Sequence, residues 1–364
     1  MLLLIVVNLS SVKANDNTHI HKNTAIKIDV KKFKLSKNTR YSFKDKIDIA
    51  VSNNNIFLLR ACKIYITTKE AKVISDIDFC DLDNSFNYRG NILLHKNKLF
   101  VSPGTKMLHA IDISNLNILW SKTLASYLRS NMTADSDGNL FFSTTDNKLY
   151  AIEQNNGKIL WNQYVAKNTL HNLPLSRPIA YKDKVFFNYS PGYITALSKS
   201  GDMLWNKQFT VMSSVVGLPF FITQDMLFTF NNNSITELDV EIGEEHWSYK
   251  EQPVFAIMVQ KNTVFLVQKN KLVALNAENK NVLWENVNLN NAVRDITTLN
   301  NYLIIFDSTN SIKVFDVETG ELLAKRKKMP ASRSTLFIKD DKIYFYSERY
   351  NSIYTVTITR HSAL

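Results

Sequence analysis

Residues that could catalyse a reaction or bind a metal are present, but their spacing matches no known site. The seven histidines form no zinc-type pair with a nearby glutamate. The sequence also contains no G-x-S-x-G turn, no phosphate-binding loop and no G-x-G-x-x-G fingerprint. We therefore predict that the chain is not an enzyme and has no catalytic, cofactor-binding or metal-binding residues. The histidines are His19, His21, His95, His109, His171, His246 and His361.

The acidic stretch at residues 135–139 has the oxygen-bearing side chains of a calcium loop. It reads Asp135-Ser136-Asp137-Gly138-Asn139. A calcium loop of the EF-hand kind also needs a glutamate further along the chain, and none follows at that distance. Asp, Ser, Gly and Asn are also the residues that favour tight turns. We interpret the stretch as a polar hairpin turn.

The two cysteines, Cys62 and Cys80, leave two interpretations open. In an oxidising compartment they could form a disulfide that closes a 17-residue loop. They could equally be two buried thiols. The disulfide is favoured slightly, because the N-terminal sequence resembles an export signal.

The N-terminal segment, residues 1–14, reads MLLLIVVNLSSVKA and predicts a signal-peptide-like element. Its apolar run is too short to span a bilayer, and small or β-branched residues follow it where a signal peptidase would cut. The alternative is a disordered or strand-forming N-terminus. No cysteine precedes Cys62, so a lipid-bearing cysteine near the cleavage point is absent from this sequence. Residues 15–46 are predicted to be a linker with a candidate closing strand, Ile26 to Val30.

The chain is basic, with a formal net charge of +11 and a pI near 9.3. Such a charge could indicate a nucleic acid or an anionic membrane surface as a partner. The plainer interpretation is compositional drift, because Lys, Asn and Ile are all abundant, as in A+T-rich genomes. Two basic clusters lack interleaved aromatic residues, so we predict no nucleic-acid partner. The clusters are Lys31, Lys32 and Lys34, and Lys325, Arg326, Lys327 and Lys328.

A repeated unit organises the chain from residue 47 to residue 360. Residues 149–161 read LYAIEQNNGKILW, which is an alternating apolar run, a polar turn with a glycine, a second apolar run and a tryptophan. Two short β-strands joined by a tight turn explain this pattern, and the tryptophan is expected to be buried against something beyond its own hairpin. The structural tryptophans of this motif are Trp120, Trp161, Trp205, Trp247 and Trp284.

The spacing of the repeats predicts an all-β fold, an eight-bladed β-propeller of four-stranded blades. With Ser75 and Ala324 in place of tryptophan in two decayed copies, the register positions lie 37 to 45 residues apart. No segment shows a sustained period of 3.6 residues, which excludes a helical repeat. A period near forty with four strands per repeat is typical of a propeller blade. Within each repeat we expect an opening strand, then the hairpin with its tryptophan strand, and then a fourth strand that leads to the following blade.

The C-terminal end of the sequence predicts how the propeller closes. Residues 342–346 and 352–357 form an opening strand and its partner, after which the chain has no further strands. Half a blade cannot cover its own edge. We expect the N-terminal segment to supply the missing strands, with the alternating runs Ile26 to Val30 or Ile47 to Val51 as the candidates, so that both termini close the eighth blade.

The order of an acidic residue, a turn glycine and a tryptophan resembles the quinoprotein (PQQ)-like propeller repeat, as at Asp239, Gly243 and Trp247. Two families use this repeat, the quinone-dependent alcohol dehydrogenases and the propeller subunit of the outer-membrane β-barrel assembly machinery, the BamB family. The dehydrogenases are much longer and carry a vicinal disulfide, whereas Cys62 and Cys80 are not adjacent. The sequence is similar to the BamB family in length, in tryptophan register and in the ending at residues 353–360. The resemblance covers residues 47–360.

The resemblance implies a non-enzymatic periplasmic scaffold, associated with the outer membrane, that docks on the central barrel-insertion (BamA-like) subunit. Unfolded outer-membrane proteins are further candidate partners, and no small-molecule substrate or cofactor is implied. The alternatives are a quinone-dependent dehydrogenase-like propeller and a general propeller interaction module.

The family's docking patch lies in two neighbouring inter-blade loops, which correspond here to residues 170–178 and 213–219. Leu173 stands where the family has an arginine, and the acidic residues of the second loop are absent. The partner-binding residues implied by the match are Leu170, Asn172, Leu173, Leu175, Arg177, Ser214 and Val216.

Overall fold

The structure is a computed structural model that forms eight antiparallel sheets of four strands each. This confirms the predicted eight-bladed propeller. Among the described residues the only helical segment is a 3-10 turn at Glu348–Tyr350, and none of their helices is long and apolar enough to cross a membrane. The model describes residues 24–35, 47–60, 62–79, 90–164, 177–189, 193–208, 220–231, 234–249, 254–287, 289, 292–330 and 336–362.

Within each blade the strands are arranged in chain order from the central channel outwards, except that the outermost strand of blade 8 comes from the start of the chain. The first strand of the chain is β1 (Thr24–Lys34). Blade 1 contains β2 (Ile47–Val51), β3 (Asn55–Arg60), β4 (Lys63–Thr68) and β5 (Val73–Asp78). Blade 2 contains β6 (Asn91–His95), β7 (Lys98–Ser102), β8 (Met107–Asp112) and β9 (Ile118–Thr123). Blade 3 contains β10 (Thr133–Ala134), β11 (Asn139–Ser143), β12 (Lys148–Glu153) and β13 (Ile159–Tyr164). Blade 4 contains β14 (Ile179–Tyr181), β15 (Lys184–Tyr189), β16 (Tyr193–Ser198) and β17 (Met203–Gln208).

The remaining blades repeat this order. Blade 5 contains β18 (Phe220–Thr223), β19 (Met226–Asn231), β20 (Ser234–Asp239) and β21 (Glu245–Tyr249). Blade 6 contains β22 (Val254–Gln260), β23 (Thr263–Gln268), β24 (Leu272–Asn276) and β25 (Val282–Asn286). Blade 7 contains β26 (Val293–Leu299), β27 (Tyr302–Asp307), β28 (Ile312–Asp316) and β29 (Leu322–Arg326). Blade 8 contains β30 (Phe337–Lys339), β31 (Lys342–Ser347), β32 (Ser352–Ser362) and, from the other end of the chain, β1.

The first strand of each blade lines the channel and the fourth forms the circumference. Strands β2 and β6 contact each other, as do β22 and β26, and β2 also contacts β30, which closes the ring. The second and third strands are packed between neighbouring blades, so they are apolar almost throughout: all six residues of β27 are buried. In β13, by contrast, half-buried and exposed residues alternate, as expected of a strand with one face in water.

The structure corrects the sequence-based account of the fourth strand. That strand was expected to follow the tryptophan strand within one repeat. It instead precedes the repeat and forms the innermost strand of the blade, as β10 does before β11. Strands β10 and β30 are only two and three residues long. Alternation over so few residues gives no readable pattern.

Closure of the ring by both termini is confirmed. Strand β1 pairs antiparallel with β32 over eleven residues, from Thr24 opposite Ser362 to Lys34 opposite Ser352. Nη1 of Arg326 in blade 7 donates a hydrogen bond of 2.7 Å to the carbonyl of Ile28, which ties the closing strand to its neighbour. Only one strand comes from the N-terminal segment, however, because the second missing strand is β30. The predicted domain limits at residues 14 and 46 lie outside the described residues.

The tryptophans join each blade to the next. Four of the five indoles pack on the left-handed turn of the following blade, where a glycine leaves room for the ring. The indole Nε1 then donates to a backbone carbonyl beyond its own blade: Trp161 donates to Lys199 over 2.8 Å. Trp205 and Trp284 are 7% and 9% exposed, whereas the other three are half-buried. The glycine contacts are Gly157 on Trp120, Gly201 on Trp161, Gly243 on Trp205 and Gly320 on Trp284.

Candidate partner-binding surface

The two loops predicted to bind the partner are on the same face of the propeller, and each is connected to blade 4. The loop at residues 165–178 joins β13 to β14, and the loop at residues 209–219 joins β17 to β18. Both loops are therefore anchored on blade 4, whose innermost and outermost strands they extend. We call the side of the disc that carries the inter-blade loops the loop face.

Most of the residues named for this surface lie outside the described residues. They are Leu170, Asn172, Leu173 and Leu175 in the first loop, and Ser214 and Val216 in the second. Arg177 is described, and so is the residue after it, Pro178. The structure thus describes the frame that carries the loops, together with one of the seven residues.

Arg177 lies at the loop face, just before β14, the innermost strand of blade 4. Its side chain is exposed, yet the surrounding protein lowers the pKa of its guanidinium, and the negative charge of Asp48 partly offsets this. Asp48 lies on β2 in blade 1 and Arg177 precedes β14 in blade 4, so the two charges interact across the channel. A partner that used Arg177 would have to reach the channel mouth and not only the outer rim.

A chain of polar contacts links the innermost strands of blades 1 to 4 at the loop face. The Asp48 carboxylate accepts hydrogen bonds from the backbone N–H of Ile49 at 3.0 Å and of Ile92 at 3.2 Å. The side chain of Asn91 then accepts from the N–H of Met132 at 3.3 Å. The hydroxyl of Thr133 donates to the carbonyl of Pro178 at 2.5 Å. These contacts fix the base of the first loop relative to three other blades.

Sequence reasoning missed this polar chain. Its signal is a polar residue at or next to the start of an inner strand, as with Asp48 in β2 and Asn91 in β6. The same position in blade 7 holds Asp295, whose carboxylate accepts from the N–H of Ile296 at 3.0 Å. Burial in the channel wall raises the pKa of Asp295. The channel wall therefore presents carboxylates from at least two blades.

The acidic stretch at Asp135 is a turn held by its own backbone. The carboxylate of Asp135 accepts from the N–H of Asp137 at 3.1 Å and of Asn139 at 2.7 Å, and Lys199 lies 3.3 Å from it. Donors therefore occupy the oxygens that a calcium ion would need. In the part of the chain that is described, no group of three or more His, Cys, Asp or Glu side chains could hold a metal ion.

Cys62 is disulfide-bonded, and the chain contains one other cysteine, Cys80, which lies outside the described residues. Cys62 lies between β3 and β4, and its carbonyl accepts a hydrogen bond of 3.0 Å from the N–H of Phe79, which follows β5. Disulfides persist in oxidising compartments and are rare in the cytosol.

Comparison with known proteins identifies relatives that match most of the chain. A family model described as outer membrane protein assembly factor BamB matches residues 87–213 and 209–359. An uncharacterised protein of Rickettsia prowazekii is 24% identical over 238 residues, which are 65% of this chain and 51% of that protein. BamB of Shewanella oneidensis is 24% identical over 268 residues, covering 68% of this chain and 66% of the relative. The match spans about half the length of the rickettsial protein.

The fold is also found in solved structures. The crystal structure of BamB from Moraxella catarrhalis superposes with a TM-score of 0.68, covering 85% of this chain and 96% of that one at 14% identity. A computationally designed protein, Ika8, gives a TM-score of 0.67 at 12% identity. At these identities the structural likeness concerns the fold alone.

Proposed function

The chain belongs to the family of outer membrane protein assembly factor BamB, and from this we propose that it is a non-enzymatic scaffold for the assembly of β-barrel proteins in the outer membrane. The observation that carries the proposal is the extent of the match, since the two segments together run from blade 2 to blade 8. In this role the propeller docks on the periplasmic domains of the central barrel-insertion subunit and can also contact unfolded outer-membrane proteins.

The proposed location is the periplasm, next to the outer membrane. The disulfide at Cys62 supports it, because the bond needs an oxidising compartment to persist. The signal-peptide-like segment at residues 1–14 is consistent with export. No quinone cofactor or small-molecule substrate is part of the proposal.

The proposed docking site comprises the two loops carried by blade 4, with Arg177 at the channel side of the first. Apolar residues on a loop with an arginine beside them are typical of the centre of a protein interface. The rigid base of the first loop supports this, because the contact between Thr133 and Pro178 fixes where it emerges. A loop that is held at one end loses less conformational entropy when it binds.

Copurification with the barrel-insertion subunit tests the proposal. We expect the double variant Leu173→Ser with Arg177→Glu to lose the partner, while its thermal unfolding stays close to that of the wild type. The matched control is Leu160→Ser with Lys158→Glu, which makes the same kinds of change at exposed residues of the β12–β13 hairpin, on the opposite face. The control should copurify normally. Wild-type yield from the loop variant would place the docking site elsewhere, and absence of copurification by the wild-type protein would contradict the proposed function.

A further inference from the structure

A cleft between blades 7 and 8 is lined by lysines. Its volume is about 550 Å³. Lys325, Lys327 and Lys328 come from the end of β29 and the residues after it, and Tyr350 comes from the turn between β31 and β32. Thr309 and Ser311 complete the wall on the blade 7 side. All three lysines are exposed.

The closing strand brings a second set of cations to the same cleft. Strand β1 contacts β29, and its end carries Lys31, Lys32 and Lys34. Nζ of Lys32 lies 4.8 Å from the centroid of the Tyr350 ring. Two basic runs almost three hundred residues apart in sequence thus meet at one place. We call Lys32, Lys325, Lys327, Lys328, Arg349 and Tyr350 the basic cleft.

These cations are not neutralised by carboxylates. Within the described residues, no ion pair is formed by the lysines of the basic cleft or by Lys31 and Lys34, whereas ten other lysines do form ion pairs. The nearby acid, Asp307, is buried, and its carboxylate accepts hydrogen bonds from Thr309 and Ser311 at 2.5 to 3.0 Å. The positive charge of the basic cleft therefore faces solvent.

We propose that the basic cleft binds the surface of a bilayer containing anionic phospholipids, with a headgroup phosphate seated among Lys325, Lys327 and Lys328. Clustered lysines are attracted to such a surface by its negative potential. An exposed tyrosine beside them is typical of the membrane–water interface, and Tyr350 is 42% exposed. Thr309 and Ser311 also line the cleft.

A bilayer fits the basic cleft better than single-stranded nucleic acid does. Such nucleic acids need an aromatic face on which a base can stack. Lys32 and Arg349 both lie against the Tyr350 ring, at 4.8 and 5.8 Å from its centroid, and Tyr354 approaches it edge-on at 6.5 Å. A base could stack there only by displacing these side chains.

The position of the basic cleft leaves the proposed protein partner undisturbed. The residues after β29 connect blades 7 and 8, and the loop at residues 165–178 connects blades 3 and 4. In a ring of eight blades these connections lie on opposite sides of the same loop face. The disc can therefore hold a protein at one side while the basic cleft contacts a membrane at the other.

Vesicle cosedimentation of the purified chain tests this inference. The wild-type protein should bind vesicles that contain phosphatidylglycerol and not vesicles of phosphatidylcholine alone, and added salt should weaken the binding. The variant with Lys325, Lys327 and Lys328 all changed to Gln should bind about 100-fold more weakly, since each lysine near the surface contributes about fivefold. The control changes Lys158, Lys261 and Lys269 to Gln, which removes the same charge at exposed positions outside the cleft.

Three outcomes would overturn the inference. Equal loss of binding in the control would assign the effect to net charge. If inorganic phosphate released the protein from the vesicles far more strongly than sodium chloride of equal ionic strength does, the cleft would be a site for a small anion. Tighter, cleft-dependent binding to a single-stranded oligonucleotide would assign it to nucleic acid. The assay contains no barrel-insertion subunit, so its failure would leave the proposed function untouched.

Discussion

Nζ of Lys280 lies 5.7 Å from the ring centroid of Trp247, at the junction between two blades. At the equivalent position of four other junctions, a glycine lies against the tryptophan. Lys280 has the same left-handed backbone as those glycines, with φ of 65°. It also forms an ion pair with Glu237, which is 4% exposed. Glu237 is a second exception. It pairs with Trp247 on the neighbouring strand, whereas the residue that pairs with Trp161 in blade 3 is Ala151.

This double exception leads to a prediction about coupling. The change Lys280→Gly should destabilise the fold by about 3 kcal/mol, because it leaves a buried carboxylate without its cation, although it relieves a left-handed backbone that costs about 1–2 kcal/mol. The double change Glu237→Ala with Lys280→Gly restores the pattern of the other blades and should lie close to the wild type. Urea unfolding of the four proteins of the cycle measures the coupling. Additive losses would show that the two residues act independently.

The contact between tryptophan and glycine can be tested with a matched pair of substitutions. A Cβ at Gly201 would lie 2.8 Å from Cγ of Trp161, whereas a Cβ at Gly138 would have nothing within 4 Å. Both glycines have nearly the same φ, 99° and 98°. Gly138→Ala should therefore show only the backbone penalty of about 1–2 kcal/mol, and Gly201→Ala a further 1–3 kcal/mol or so from overpacking. Equal losses would mean that the indole moves aside freely.

Removal of the indole tests the same junction from the other side. Trp161→Ala should destabilise the protein by about 3–5 kcal/mol if the site does not collapse. The half-buried position of Trp161 favours the lower end of this range. A loss below about 1 kcal/mol would show that the tryptophan is not a packing element.

The parts of the fold that sequence predicted are those with a long, repeated pattern. The tryptophan register gave the blade count because the second, third and fourth strands are five to six residues long in nearly every blade. The closing strand was visible at Ile26 to Val30 because an alternating run stands out in a polar segment. Strands as short as Thr133–Ala134 left no such signal, since their position is set by the neighbouring blade.

The candidate surfaces were harder to predict because they combine distant parts of the chain. Nothing near Arg177 in the sequence indicates that the charge of Asp48, from another blade, acts on it. The basic runs at Lys32 and Lys325 were each visible, but only ring closure brings them together around Tyr350. Propensity and periodicity describe neighbours in sequence, and these sites depend on the order of blades in the ring.

The disulfide at Cys62 should contribute strongly to stability. Closing a loop of 17 residues reduces the entropy of the unfolded chain and is worth about 3 kcal/mol. The double variant Cys62→Ala with Cys80→Ala should lose about that amount, as measured by urea unfolding, and reducing agent should have the same effect on the wild type only. If reducing agent left the wild-type midpoint unchanged, the bond would not constrain the unfolded state.

His109 should make the protein sensitive to acid. The ring is buried between blades 1 and 2, stacks on Phe79 at 4.4 Å, and shares a hydrogen bond of 2.8 Å with the hydroxyl of Ser121. Its Nε2 is buried without a hydrogen-bond partner among the described residues. Burial lowers the pKa of His109 from 6.5 to about 4. The folded state therefore keeps the neutral ring at a pH where the unfolded chain is already protonated.

The direction of the effect follows from proton linkage. Between pH 6.5 and pH 4 the unfolded state binds the additional proton, so the contribution of His109 is fully present above pH 6.5 and is lost as the pH falls through this window. From pH 7 to pH 4.5 the loss from this one group should be about 2 kcal/mol. His109→Phe keeps the stacking on Phe79 and removes the titration, while the exposed Ser121 can hydrogen-bond to water. Urea unfolding at both values of pH should then show a smaller acid loss for the variant by about 2 kcal/mol. An identical acid loss in the two proteins would mean that His109 is protonated in the folded state without penalty.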